Sequence, residues 1–265
     1  MTVRIEKSGS VWTVIHSRYE ARNAMDPKSA DDLVAAFEEF DADPSANVAV
    51  FWGEGGAFCA GWDLKAVSDL DPNDPLGAFN FPADGGKPPR GPLGPSRLQL
   101  SKPVIAAVEG PAVAGGMELA MWSDVRVMAE TAYFGVYCRR WGVPLIDGGT
   151  VRLPRLVGMG KALEIIMTGR KVPAEEAYRI GLCENVVPHG KARDAAELMA
   201  QEIARFPQEC LRSDRQSVYS AWAKPVREGL EIEWRTSAHI MRAEGVRGAA
   251  RFAEGKGRHG DFGNI

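Results

Sequence analysis

Glu118 follows a Gly115-Gly116 pair by two residues, and Asp147 stands directly before a Gly148-Gly149 pair. Glycine lets the main chain approach a ligand closely, and free N–H groups at a helix start favour developing negative charge. The segment Gly53-Glu-Gly-Gly-Ala-Phe-Cys-Ala-Gly61-Trp62-Asp63-Leu64 has the same character as Gly110-Pro-Ala-Val-Ala-Gly115-Gly116-Met-Glu118-Leu: each follows an apolar strand. One N–H from each loop could form an oxyanion hole, although each loop alone also reads as a tight turn. The carboxylates have bland readings too. Glu118 in a first helical turn interacts with the dipole, worth about 0.3 to 1 kcal/mol. Asp147 could cap a helix beginning at Gly148, worth about 1 kcal/mol, with Arg139 and Arg140 holding it ionised or facing solvent.

Other chemistries find less support. Gly53-x-Gly55 meets Phe58 where a dinucleotide fingerprint needs its third glycine, and Gly158-Met-Gly-Lys161 lacks the first glycine of a phosphate loop. His16, His189, His239 and His259 are dispersed without metal-ligand spacing, so no metal is expected. Cys59, Cys138, Cys183 and Cys210 form no CxxC pair and read as reduced thiols. A formal net charge of −3 without runs of like charge argues against nucleic acid or an anionic membrane as partner. With neither a leader nor a spanning apolar run in view, a cytoplasmic location is expected.

The elements that must position these groups follow from periodicity. Val3 to Ile5 and Val11 to Ile15 flank Ser8-Gly9 as a hairpin, and Asp26-Pro27 opens a helix with Leu33, Phe37 and Phe40 on one face. Strands are expected at Val48 to Trp52, Val104 to Val108 and Val125 to Val127, which makes an α/β class. Residues 71 to 95 are rich in proline and glycine and read as a disordered insertion or a mobile lid. Beyond Pro207 the pattern is helical. Trp222, Leu230, Trp234 and Ile240 there would dock on the chain's own core or on another subunit.

Three motifs in order then carry a specific resemblance: Phe58-Cys-Ala-Gly61-x-Asp63-Leu64, Lys102-Pro-Val-Ile-Ala-Ala-Val-x-Gly110, and Gly115-Gly116-x-Glu118-Leu119-Ala120-x-x-x-Asp124. Together with Gly148-Gly149-Thr150-x-Arg152-Leu153-Pro154 and Thr168-Gly169-Arg170, they resemble the crotonase (enoyl-CoA hydratase/isomerase) family along essentially the whole chain. The resemblance implies a spiral of repeated ββα units over residues 1 to 200 and a helical oligomerisation region over 201 to 265. It also implies a homotrimer or a dimer of trimers.

By that resemblance the N–H groups of Trp62 and Gly115 hold a thioester oxygen, and Glu118 is the first of two catalytic glutamates. The second glutamate of the family hydratases is replaced by Cys138, after Phe134-Gly135-Val-Tyr. A thiol is a poor substitute for a carboxylate that positions water, and Cys138 reads as a small filler beside the acyl pocket. Asp147 matches an aspartate of family branches that are not simple hydratases, such as naphthoate synthase and dienoyl-CoA isomerase. Contacts to coenzyme A fall on Ala21, Arg22, Ala24, Ala60 and Lys65, with Lys256 reaching a phosphate across a subunit boundary. Coenzyme A is part of the substrate, so no separate cofactor is expected. The leading expectation is an enoyl-CoA hydratase or isomerase with Glu118 and Asp147 as its carboxylates. A thioester hydrolase, a carbon–carbon lyase and a non-catalytic acyl-CoA binder are the alternatives.

Overall fold

The computed structural model describes residues 2–257, in two compact units that divide between Gln201 and Glu202. The first unit is built on a six-stranded sheet in the order β1-β2-β3-β4-β6-β9: β1 (Val3–Ser8), β2 (Val11–His16), β3 (Val48–Gly53), β4 (Val104–Val108), β6 (Val125–Ala129) and β9 (Asn185–Val187). β1 and β2 form the antiparallel hairpin expected around Ser8-Gly9, with Ser8 opposite Val11. Every later pairing in this sheet is parallel. Parallel strands are covered on both faces, which is why β2 and β4 are buried along their whole length and read as apolar runs.

A second sheet, β5-β7-β8, joins β5 (Pro111–Val113), β7 (Tyr133–Gly135) and β8 (Lys171–Pro173). Helices α1 (Pro27–Ala42), α2 (Leu64–Ser68), α3 (Gly115–Trp122), α4 (Gly149–Val157), α5 (Met159–Thr168), α6 (Ala174–Arg179) and α7 (Ala192–Ala204) are interspersed among these strands. The start of α1 follows its sequence signals: Asp26 accepts the Ser29 N–H at 2.7 Å and Pro27 occupies the first turn. Leu33, Phe37 and Phe40 form its buried stripe, and Phe37 meets Phe51 and Trp122 edge to face.

The segment 71–95 is not the disordered insertion expected from its composition. It holds a 3-10 turn at Gly77–Phe79, leads into another at Pro95–Arg97, and is buried from Gly91 through Ser96. Gly94, at φ +84°, packs so closely on Ala30 that a Cβ there would lie 2.7 Å from the Ala30 carbonyl oxygen. Composition registers the prolines and glycines but not Asp147, whose carboxylate collects the end of this backbone.

The second unit contains α8 (Gln208–Ala221), α9 (Val226–Ser237), a π turn at Met241–Gly245 and α10 (Val246–Ala253). Ser213 ties α8 to α9 by donating to the Thr236 carbonyl at 3.1 Å, with Ser237 Oγ 2.8 Å away. Val226, Leu230 and Trp234 recur at every fourth position of α9 and are 80%, 58% and 74% exposed, an apolar face without cover within this chain's described residues. No helix of the described residues is long and apolar enough to cross a membrane.

Candidate active site

Strand β5 carries the chain into Ala114, whose N–H donates to the Gly135 carbonyl at 2.8 Å. Ala114 has φ 54° and ψ −127°, a conformation that favours glycine, and α3 begins at the next residue. Close approach to backbone forces the second glycine of α3, since a Cβ on Gly116 would lie 2.0 Å from the Cys59 carbonyl oxygen, while one on Gly115 would crowd the Leu93 side chain at 2.7 Å. The loop before α2 is fixed by a parallel bridge in which Met25 N–H donates to Gly61 O and Asp63 N–H donates to Met25 O, both at 2.8 Å. Those bonds flank Trp62 and turn its own N–H to the opposite side. Neither the Trp62 N–H nor the Gly115 N–H has an acceptor among the described residues.

Trp62, Gly115, Glu118 and Asp147 line one cavity of about 90 Å³, together with Ala60 and Cys138. Glu118 and Asp147 are each only 2% exposed. Glu118 Oε1 accepts the N–H groups of Asp147 at 3.0 Å and Gly149 at 2.7 Å. Gly149 must be small, because a Cβ there would stand 2.9 Å from that oxygen. Burial first, and the neighbouring Asp147 charge second, push the Glu118 carboxyl up to about 8.

Asp147 is not a helix cap. Gly148, at φ 100°, occupies the cap position of α4, and no side chain caps that helix. Asp147 Oδ1 instead accepts the Leu93 N–H at 3.1 Å and the Ser96 hydroxyl. These bonds gather the end of the proline-rich segment over the cavity. Asp147 Oδ2 is buried and has no hydrogen-bond partner among the described residues. Burial raises the Asp147 pKa against these hydrogen bonds and the charges of Arg97 and Arg152. Arg139 and Arg140 take no part: both are exposed, Arg139 donates to the Ile166 carbonyl and Arg140 lies over Tyr137. Cys138 is buried, and its thiol is raised by that burial and by Glu118, which makes it a weak nucleophile.

Of the residues expected to contact coenzyme A, Ala60 lines the cavity and its N–H donates to the Arg22 carbonyl at 3.1 Å. That bond brings the Ala21–Ala24 turn beside the Trp62 loop, with Arg22 exposed in a left-handed conformation at φ 53°. Lys65 is exposed in α2, and its N–H donates to Asp63 Oδ1. Ala21, Arg22, Ala24 and Lys65 do not line the cavity. Lys256 is exposed in the second unit. Sequence reasoning passed over Leu93, Ser96 and Arg97. They carry no motif of their own, and only the fold brings them to Asp147. Arg152 belongs to the Gly148–Pro154 motif, but its role emerges only from its contacts: it donates to the carbonyls of Asp147 at 2.9 Å and Ser96 at 2.8 Å.

Comparison with known proteins identifies the family of the chain. Residues 6–261 match the enoyl-CoA hydratase/isomerase family. Enoyl-CoA hydratase EchA19 of Mycobacterium tuberculosis is 33% identical over 258 residues, 94% of this chain and 92% of that one. Carnitinyl-CoA dehydratase of Proteus mirabilis is 36% identical over 206 residues, 77% of this chain and 74% of that one. A crystal structure of enoyl-CoA hydratase from Mycobacterium tuberculosis H37Rv superimposes with a TM-score of 0.86 at 30% identity, covering 96% of both chains. That of enoyl-CoA hydratase from Bacillus anthracis gives 0.85 at 26% identity, again over 96% of both. The chain therefore belongs to the enoyl-CoA hydratase/isomerase (crotonase) family.

Proposed function

We propose that this protein hydrates an enoyl-CoA thioester, or dehydrates the corresponding hydroxyacyl-CoA, through an enolate held by the N–H groups of Trp62 and Gly115. One observation carries the reading: each buried carboxylate has one oxygen consumed by fixed donors and its other oxygen free of any partner among the described residues. Glu118 spends Oε1 on two backbone N–H groups, and Asp147 spends Oδ1 on Leu93 and Ser96. The spare oxygens, Oε2 and Oδ2, are then left to handle protons.

The roles follow from environment. A carboxyl pushed to about 8 is protonated at neutral pH, so Glu118 is the acid that delivers a proton to the α-carbon. Asp147 accepts the proton that water releases as its oxygen bonds to the β-carbon. Charge passing to the thioester oxygen meets Trp62 and Gly115 donors, of which each is worth roughly 3 to 4 kcal/mol. Proton movements of this kind change no overall oxidation state, so the reading calls for no redox cofactor, and coenzyme A enters as part of the substrate. Ala21, Arg22, Ala24 and Lys65 form the rim proposed to hold its adenosine and phosphates, with Lys256 contributed by a neighbouring subunit of a trimer or a dimer of trimers.

Cys138 favours a second reading. A thiol at the position of the family's second glutamate leaves Glu118 as the carboxyl that matches the family pair, which suffices for moving a double bond by one proton removed and one returned. Two measurements test the readings together: loss of the conjugated enoyl-thioester absorbance, and exchange of the α-proton of a saturated acyl-CoA with deuterium. Exchange without absorbance loss supports isomerisation, and absence of both sinks the enolate reading.

A further inference from the structure

We propose that Arg18 is a positioning residue that fixes the Trp62 N–H by clamping both sides of the bridge between the Ala21–Ala24 turn and the Trp62 loop. This rests on the reading of Trp62 as an oxyanion donor. Arg18 lines no part of the cavity, and its guanidinium reaches three acceptors around the Met25–Trp62 bridge. Nη2 donates to Asp63 Oδ2 at 2.7 Å, Nη1 donates to the Ala24 carbonyl at 2.8 Å, and Nε lies 3.3 Å from Asp26 Oδ2.

The placement of those acceptors matters. Asp63 follows Trp62 directly, while Ala24 and Asp26 flank Met25, the residue bridged to Trp62. One planar fork thus grips the chain on both sides of the bridge that turns the Trp62 N–H away from Met25. The side chains of Arg18, Asp63 and Asp26 are 20%, 14% and 27% exposed, so water competes weakly for these bonds. Asp63 is pulled into further service, because its Oδ1 accepts the Lys65 N–H at 3.0 Å and starts α2. Burial alone would raise the Asp63 carboxyl, but Arg18 and that N–H hold it below its usual value.

Arg18 is itself set from behind. Its N–H donates to Asn23 Oδ1 at 2.8 Å, and Asn23 N–H donates back to the Arg18 carbonyl at 2.9 Å. Asn23 is fully buried and donates from Nδ2 to the carbonyls of Glu54 at 2.8 Å and Ala57 at 2.7 Å. The arrangement joins the proposed coenzyme A rim to the oxyanion loop through one side chain. A lysine carries the charge but not the fork, and it cannot meet three acceptors in one plane.

The test uses Arg18→Lys and Asp63→Asn, which read the same bond from its two ends. Asparagine keeps the acceptor for Lys65 N–H while removing the anion, so one variant survives if the other folds poorly. Steady-state kinetics with crotonyl-CoA are combined with the infrared carbonyl stretch of bound, carbonyl-labelled butyryl-CoA, which falls in frequency as the oxyanion donors engage. Displacing a donor by part of an ångström is expected to lower kcat by about 10- to 100-fold and to shrink the carbonyl shift in both variants. Folded variants with the parental shift, and activity lost only in proportion to folded protein, would overturn the positioning role. A parental enzyme that binds butyryl-CoA without any shift would instead overturn the oxyanion reading itself.

Discussion

Glu118 and Asp147 are coupled through backbone as well as charge: the N–H of Asp147 donates to Glu118 Oε1 at 3.0 Å, while the Asp147 carboxylate helps to raise the Glu118 pKa to about 8. The bond fixes where Glu118 points, and burial first, with the Asp147 charge second, keeps it protonated. Two carboxyls in one cavity allow one to deliver a proton while the other accepts one.

Replacing Glu118 by Gln retains an acceptor for the Asp147 and Gly149 N–H groups and removes the transferable proton. The rate is expected to fall by about 10² to 10⁴ with the fold intact. The parental rate should decline above pH about 8, where Glu118 loses its proton. Stability has the same sign. The raised carboxyl makes the folded state bind more protons than the unfolded chain between pH 4.5 and about 8, so stability falls as pH rises through that range. Fully buried His16 opposes it lower down. Burial pushes His16 down from 6.5 to about 4, so its contribution is lost as pH falls through that window. Between pH 6.5 and 8 the Glu118 slope is unopposed by His16. Melting scans should show a decline there in the parent that Glu118→Gln flattens.

Asp147→Asn separates proton chemistry from anchoring, because an amide oxygen can still accept from Leu93 N–H and Ser96. A fall of about 10² to 10⁴ in hydration is expected, with Cys138→Ser nearly silent. A silent Asp147→Asn would reject the two-carboxylate reading. Improved hydration by Cys138→Glu alongside it would point to a natural reaction that needs only Glu118.

How much of this site was legible before folding depended on where its partners lie in the chain. The two glycine loops, Glu118 and the Asp26-Pro27 helix start are local patterns, and periodicity or motif suffices to read them. Asp147 was visible as a residue but not as an anchor, since Leu93 and Ser96 lie more than fifty positions earlier. Its cap reading failed because Gly148 takes the left-handed turn into α4. The disorder expected of residues 71 to 95 failed at its buried end, Gly91 onward, for the same reason: no composition rule knows that a buried carboxylate waits for the Leu93 N–H. Arg18 precedes its partner Asp63 by 45 positions, and nothing in its neighbours marks it.

Leu93 is 2% exposed, lines the cavity and lies against Gly115, so it bounds the space open to an acyl chain at the oxyanion donor. Leu93→Ala should cost about 2 kcal/mol or somewhat more in stability, as buried leucine truncations do. It should also raise kcat/KM for hexenoyl-CoA relative to crotonyl-CoA by about 10-fold or more, the usual worth of methylene-scale discrimination. An unchanged ratio would mean that the chain leaves the cavity by another wall.

The exposed face of Val226, Leu230 and Trp234 on α9 is expected to be covered by a second copy in the proposed trimer. Trp234→Glu with Leu230→Glu should shift sedimentation toward monomer and weaken coenzyme A binding through loss of Lys256 from the neighbour. A monomeric parent at micromolar concentration removes both expectations.

Ala114 sets the peptide whose N–H is the Gly115 oxyanion donor, and it does so at φ 54° and ψ −127°. Such a conformation costs a non-glycine residue on the order of 1 to 3 kcal/mol. Glycine would relieve it, while its freer unfolded chain gives back about 0.5 to 1 kcal/mol. The buried methyl that is lost costs about 0.8 kcal/mol more, so Ala114→Gly should melt within a few degrees of the parent. The methyl group also acts as a mechanical stop. It stands against Gly61, where an added Cβ would lie 2.8 Å from it, so the two donor loops meet at that contact. Glycine at 114 removes the contact and widens the range of orientations open to the 114–115 peptide. The Gly115 N–H is then aimed less tightly at the thioester oxygen. A donor that must be ordered during the reaction contributes less than one ordered beforehand, so kcat is expected to fall several-fold while KM changes little. Loss in kcat at a similar melting temperature would identify the strain at Ala114 as part of the catalytic design. Equal kcat in the two proteins would leave the strained turn with a packing role alone.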